Sequence, residues 1–341
     1  MSTNSQIASR MRMFCHEIGK NQLLVQGAGG NVSWKADDIL WIKASGTWLA
    51  DALERDIFVP VDLIHLRTQI TQHNFEATPH VLMNASLRPS IETLLHALMP
   101  QPLVVHVHAI EALAQLVCTD IHHTLTQRLP ADIAWALVPY HKPGARLADA
   151  VHHAITANPS VNTIFLQNHG IVIGGDDIHS IHQLMLRILD ALKTPQHIVS
   201  LTMTSTPDMP ELHAYGYQPS QHAPFNQLAT TPTLQHYLHH AWAMYPDHVV
   251  FLGPEAVIVT ANSLAHYHDL LSTRPPAYIF VPNIGTFVHA NASHAHHAQL
   301  QCYYDVIIRL DATRSIATLD HAQIAELLNW DAEKYRQQIK K

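Results

Sequence analysis

The sequence predicts an α/β layered fold, on three observations. Short β-branched runs recur along the chain, segments of helical periodicity separate them, and Gly- or Asn-marked turns stand where one gives way to the other. Residues 5–24 space Ile7, Met11, Phe14, Cys15, Ile18 and Leu23 as an opening amphipathic helix does. The turn Gly27-Ala-Gly-Gly-Asn31 follows, and alternating stretches at 32–34 and 39–42 predict strands. A helical segment over 90–99 leads into Leu103-Val-Val-His-Val-His108, a β-branched run of the kind found in buried strands. A helix is predicted over 110–117. Residues 163–167 and 170–173 read as two strands of a hairpin joined across Asn168-His169, with a helix over 177–193.

Between 203 and 232 the composition shifts. Pro207, Pro210, Pro219, Pro224 and Pro232 interrupt backbone hydrogen bonding, and the segment is expected to be an extended surface connector. It divides a catalytic region, 1–202, from a smaller C-terminal α/β region, 233–341. In the latter, helices are expected near 233–244, 263–271, 293–310 and 320–338, and strands near 249–252, 257–260 and 278–289. One internal echo stands out. Thr163-Ile-Phe-Leu-Gln-Asn-His-Gly170 aligns with Tyr278-Ile-Phe-Val-Pro-Asn-Ile-Gly285, so the C-terminal region is expected to repeat a hairpin-helix unit, with Ile284 where the first copy has His169.

The composition, 47% hydrophobic and 14% charged, is that of a globular protein with extensive burial. A formal net charge of −7 without a basic cluster argues against nucleic acid as a partner. Cys15, Cys118 and Cys302 are too scattered for a disulfide framework and read as thiols of a reducing compartment. The polar N-terminus lacks the apolar core of a signal peptide, and no apolar run is long enough to span a bilayer. A cytoplasmic protein without a membrane partner is therefore expected.

With 29 histidines in the chain, a metal site must be argued from spacing rather than from abundance. His106 and His108 alternate on a predicted strand, so both imidazoles face one side of it. His169 lies in a tight turn beside Gly170, a rigid platform for a third ligand. Three histidines leave a coordination position open, the pattern of a catalytic zinc site, with iron, cobalt, nickel or manganese as alternatives. Glu92 follows Pro89-Ser90 at the start of a predicted helix. The helix dipole alone would favour a glutamate there, so position does not by itself give it a role.

Gly30-Asn31-Val-Ser33, Ala44-Ser45-Gly46-Thr47, Ser90-Ile-Glu92, His106-Val-His108 and Asn168-His169-Gly170 occur in the order that marks the class II aldolase/adducin family. The chain resembles that family over roughly residues 10–195. The run Arg88-Pro-Ser-Ile-Glu-Thr93 and the tail Leu327-Leu-Asn-Trp-Asp-Ala-Glu-Lys-Tyr-Arg336 look similar to the rhamnulose-phosphate-aldolase-like portion of long bacterial proteins that continue into a short-chain dehydrogenase.

The resemblance implies a three-layer α/β/α domain around a mostly antiparallel sheet. It implies zinc on His106, His108 and His169, Glu92 as acid/base, and a substrate phosphate held by Gly30, Asn31, Ser45, Gly46 and Ser90. Backbone N–H groups at glycine turns can satisfy such an anion without a lysine cluster. Relatives often carry a second serine where this chain has Ile91, a lost hydrogen bond worth about 1–3 kcal/mol for a charged partner.

The implied reaction is reversible retro-aldol cleavage of a ketose 1-phosphate of the rhamnulose or fuculose type, in a homotetramer or other homo-oligomer. The same groups serve epimerases, dehydratases and decarboxylases, and adducin-like relatives bind partners without catalysis. A raised Glu92 pKa would suit proton shuttling. Tyr140 is a candidate second proton donor, with simple packing as its alternative.

Overall fold

The computed structural model describes residues 3–83, 85–197, 206–260 and 263–331. It opens with helix α1 (Thr3–Lys20), strands β1 (Asn31–Ala36), β2 (Ile39–Lys43) and β3 (Phe58–Asp62), and helices α2 (Leu63–Thr71) and α3 (Thr93–Leu98). Strand β4 (Leu103–Val107) leads to α4 (Ile110–Leu116) and α5 (Ile121–Arg128). Then come β5 (Trp135–Val138), α6 (Ala145–Ala157), β6 (Thr163–Leu166), β7 (Gly170–Gly175) and α7 (Ile178–Leu192).

These strands form one sheet in the order β3-β2-β1-β4-β7-β6-β5. Every neighbouring pair is antiparallel except β5–β6. Side-chain alternation along the strands builds two cores. Val32, Trp34, Val105, Val107, Ile171 and Ile173 pack against α1, α4, α5 and α7. Leu40, Ile42, Val104, Ile164 and Val172 face α2, α3 and α6. The expected three-layer α/β/α architecture is the one observed.

Helix α7 begins where the sequence changes period. Asp177 accepts from the Ser180 N–H while the Ser180 hydroxyl bonds back, so orphan N–H groups at the helix start are satisfied.

Contacts divide the chain into two compact units, Met1–Lys193 with Asn329–Lys341, and Thr194–Leu328. The second contains α8 (Pro210–His213), β8 (Tyr217–Pro219), α9 (Ala223–Thr230), α10 (Pro232–His240), α11 (Pro246–Leu252), α12 (His268–Thr273), β9 (Tyr278–Val281), β10 (Gly285–His289), α13 (His294–Ile307) and α14 (His321–Leu328).

Here the sequence reading needs correction. The 203–232 segment, expected to be an extended connector, instead forms α8, β8 and α9 over its described part, while 203–205 and the boundary at 202 lie outside the described residues. Pro210, Pro224 and Pro232 sit in the first turns of α8, α9 and α10, where a missing N–H costs nothing, Pro219 lies on an edge strand, and Pro207 precedes α8 outside any element. The apolar run at 249–252 is the helix α11, buried nearly all round, whose pattern periodicity cannot tell from a strand. Residues 257–260 contribute only a parallel bridge, Ile258 to Phe280. The last helix is described to Leu328, and most of the tail to 338 lies outside the described residues.

The internal echo is structural. In β6–β7, Leu166 pairs with Gly170 and Thr163 with Ile173; in β9–β10, Val281 pairs with Gly285 and Tyr278 with Val288. The turn residues Asn168 and Asn283 both take positive φ, 54° and 64°. Asn168 N–H donates to Leu116 O on α4, and Asn283 N–H donates to Ala229 O on α9. Each hairpin also carries a third antiparallel strand, β4 beside β7 and β8 beside β10.

The pairings put Pro219 opposite Phe287 as His106 is opposite Val172. Pro219, Gln221 and Ile284 thus stand in the second unit where His106, His108 and His169 stand in the first.

Candidate metal and acid/base site

Alternation on β4 turns Val105 and Val107 toward one core and His106 toward the opposite face. His108, just past the strand end, brings its Nε2 to 3.2 Å from His106 Nε2. His169 arrives from the β6–β7 turn, its ring centroid 4.9 Å from that of His106 and 5.3 Å from that of His108. All three are buried, and one ligand atom from each lies within 4.8 Å of the others.

Gly170 permits this convergence through close approach, while the positive φ falls on Asn168. A Cβ at 170 would come to 2.6 Å from Val107 O and 3.0 Å from both His106 Cε1 and His108 Cδ2.

Tetrahedral zinc with bonds of about 2.0–2.1 Å sets its nitrogen ligands about 3.3 Å apart, close to the His106–His108 separation. His106 Nδ1 lies 3.0 Å from Ile171 O. Donation to that carbonyl fixes the tautomer and leaves Nε2 as the ligand atom. The donor set therefore fits a divalent transition metal. Among the described residues, no other group of three or more histidine, cysteine or acidic side chains meets the same geometric condition.

Glu92 is the N-cap residue of α3 and reaches across to the imidazoles. Its Oε2 is 3.5 Å from His106 Nε2 and its Oε1 is 3.5 Å from His169 Nε2. Asn31 Nδ2 donates to Oε2 at 2.7 Å, while the buried Oε1 accepts no hydrogen bond among the described residues. Burial alone would raise the Glu92 pKa. The neighbouring imidazoles of His106 and His169, the Asn31 amide and His108 outweigh it and hold the carboxyl below the ordinary carboxylate range. The site as it stands thus favours an ionised Glu92, opposite to the raised pKa expected from sequence.

The residues expected at a substrate anion are brought together beside this cluster. Ser45 N–H donates to Arg88 O at 2.9 Å, Ser90 N–H donates to Lys43 O at 3.1 Å, and Ala44 bridges Pro89. Asn31 Nδ2 also donates to Ser90 Oγ at 3.2 Å, and Ser90 Oγ accepts from Glu92 N–H at 3.2 Å. Gly30 and Gly46 both take positive φ, 62° and 76°. Ile91 is half-buried between Ser90 and Glu92, and Tyr140 is half-buried between β5 and α6.

Three neighbours were not assigned to the site from sequence. Lys43 is buried and donates to Ala28 O at 3.0 Å, beneath the 27–30 turn. His96 and Ser33 lie behind Asn31. His96 Nε2 contacts Asn31 Oδ1, and its Nδ1 lies 2.7 Å from Ser33 Oγ. Burial pushes the His96 pKa down to about 3, so the ring is neutral. The i, i+4 spacing of Glu92 and His96 on one helix was the available signal.

Comparison with known proteins bears on this arrangement. The family profile described as "Class II Aldolase and Adducin N-terminal domain" matches residues 10–194, more than half of the 341 residues. A protein of Bacillus subtilis (strain 168) named "Uncharacterized oxidoreductase YuxG" is 26% identical over 189 residues, covering 50% of this chain and 27% of its own length. The chain thus matches about a quarter of that relative.

Among solved structures, the N-terminal class II aldolase domain of a conserved Thermoplasma acidophilum protein is 22% identical. Its TM-score is 0.47, over 56% of this chain and 94% of that one. An L-fuculose 1-phosphate aldolase is 16% identical with a TM-score of 0.41, over 56% and 84%.

Proposed function

Because the chain belongs to the class II aldolase and adducin N-terminal domain family, we propose that it is a metal-dependent carbon–carbon lyase acting on a sugar phosphate, a ketose 1-phosphate of the rhamnulose or fuculose type. The observation that carries this reading is the convergence of three buried imidazoles with a carboxylate held by an amide. A pure scaffold has no physical need for a carboxylate kept under imidazoles in a buried site.

His106, His108 and His169 would hold the ion, zinc by preference for neutral imidazoles. When bound, such an ion supplies Lewis-acid polarisation of the substrate ketone and stabilises charge released by bond cleavage. In the cleavage direction the bond between carbons 3 and 4 breaks, and its electron pair stays on the carbon-3 fragment. Glu92 delivers a proton to carbon 3 and removes it again in the condensation direction. The proton of the carbon-4 hydroxyl leaves to a second group as the aldehyde forms. Backbone N–H groups of the Gly30-Asn31 and Ser45-Gly46 turns other than that of Ser45, which is held by Arg88 O, bind the 1-phosphate together with the Ser45 and Ser90 hydroxyls.

The test is incubation of the zinc-loaded protein with L-rhamnulose 1-phosphate and L-fuculose 1-phosphate, following dihydroxyacetone phosphate. Release of that product supports the reading. Full metal occupancy with no product, and no proton exchange into dihydroxyacetone phosphate, contradicts it.

A further inference from the structure

We infer that His96 is a positioning residue: acting through Asn31, it fixes which oxygen of Glu92 is held and which is free to move a proton. The inference rests on the acid/base role proposed above for Glu92.

The argument runs on donor and acceptor identity along one buried chain. Ser33, Asn31, Ser90, Glu92 and His96 are all at most 8% exposed, leaving little room for solvent to replace a missing partner. Asn31 Nδ2 donates to Glu92 Oε2 at 2.7 Å, so the amide nitrogen is the atom on the carboxylate side. The amide oxygen therefore points the other way, where it meets His96 Nε2. An amide oxygen also only accepts, so Nε2 carries a hydrogen. The neutral ring then has its lone pair on Nδ1, and the Ser33 hydroxyl donates to it at 2.7 Å.

Each link dictates the next. Turning the Asn31 amide over would set oxygen against the Glu92 carboxylate and NH2 against the His96 N–H. With the amide locked, Oε2 of Glu92 is held, while Oε1 accepts no hydrogen bond among the described residues and faces His169 Nε2 at 3.5 Å. Oε1 is the oxygen left to exchange a proton with substrate. The same amide reaches Ser90 Oγ at 3.2 Å, so one lock serves both the acid/base group and the anion side.

The experiment compares His96→Leu, His96→Gln, Asn31→Ala and the His96→Leu/Asn31→Ala pair, with L-rhamnulose 1-phosphate and L-fuculose 1-phosphate as probes. His96→Leu removes the donor and lowers kcat about 10–100-fold with metal content unchanged. His96→Gln restores a donor and most of the rate, and the double variant is no slower than Asn31→Ala alone. Losses that multiply in the double variant overturn the inference.

A second readout needs no turnover. In 15N spectra of the metal-free protein, the imidazole signal missing from His96→Gln is that of an Nε2–H tautomer, and it shifts in Asn31→Ala. An Nδ1–H tautomer overturns the inference. Should the wild type cleave neither sugar phosphate, the lyase reading falls and the spectra still decide the role of His96.

Discussion

Gly30 lies directly against the carbonyl of His106: a Cβ at position 30 would come to 2.8 Å from that oxygen, on a backbone already at φ 62°. Strand β1 pairs Asn31 with His106 immediately beside this contact. The turn proposed to receive an anion and the strand that carries the proposed ligand His106 are thus one packed unit.

Gly30→Ala should therefore cost both stability and metal affinity. Left-handed strain and the close contact together predict a loss of about 1–3 kcal/mol. Thermal unfolding and a competitive zinc titration check this. Unchanged zinc affinity would show that the turn and His106 are mechanically independent.

His108→Ala should abolish stoichiometric metal while leaving the fold intact, because His108 stands just past the end of β4. Far-UV circular dichroism and metal content after dialysis measure the two halves of the claim. Full metal retention would remove His108 from the ligand set.

Glu92→Gln should keep the ion and slow exchange of the carbon-3 proton of dihydroxyacetone phosphate about 100-fold or more. Glutamine preserves the shape of the side chain and loses the proton acceptor. Exchange at the wild-type rate would assign the proton transfer to another group.

Acid should weaken the second unit through His248. That ring is fully buried, packs against Trp242 and Tyr303, and neither nitrogen has a hydrogen-bond partner among the described residues. Burial pushes its pKa from 6.5 down to about 3. The unfolded chain binds a proton below pH 6.5 and the folded one resists it, so stability present above pH 6.5 is lost progressively toward pH 3. At about 1.4 kcal/mol per pH unit, the effect amounts to several kcal/mol. His248→Phe should flatten this limb of a plot of Tm against pH, and an unchanged limb would contradict it.

The sequence made the candidate metal site legible because each element was locally marked: alternation for His106 and His108, a glycine turn for His169, and a helix start for Glu92. The hairpin echo was also legible, since Asn168 and Asn283 take the same left-handed turn conformation. What escaped was set by long-range packing. The contact of His96 with Asn31 joins residues 65 apart in the chain, and burial of Lys43 beneath Ala28 depends on how the turn folds over β2. The prolines misled for a local reason, since helix first turns and extended connectors both tolerate them.

Anomalous scattering across the zinc absorption edge, on a tag-free crystal, bears most directly on the central claim. The account predicts one peak per chain at about 2.0–2.1 Å from a nitrogen of each of His106, His108 and His169, and none beside Pro219, Gln221 and Ile284. A zinc-replete crystal with no peak among the three imidazoles, or with its strongest peak on another histidine cluster, would contradict it.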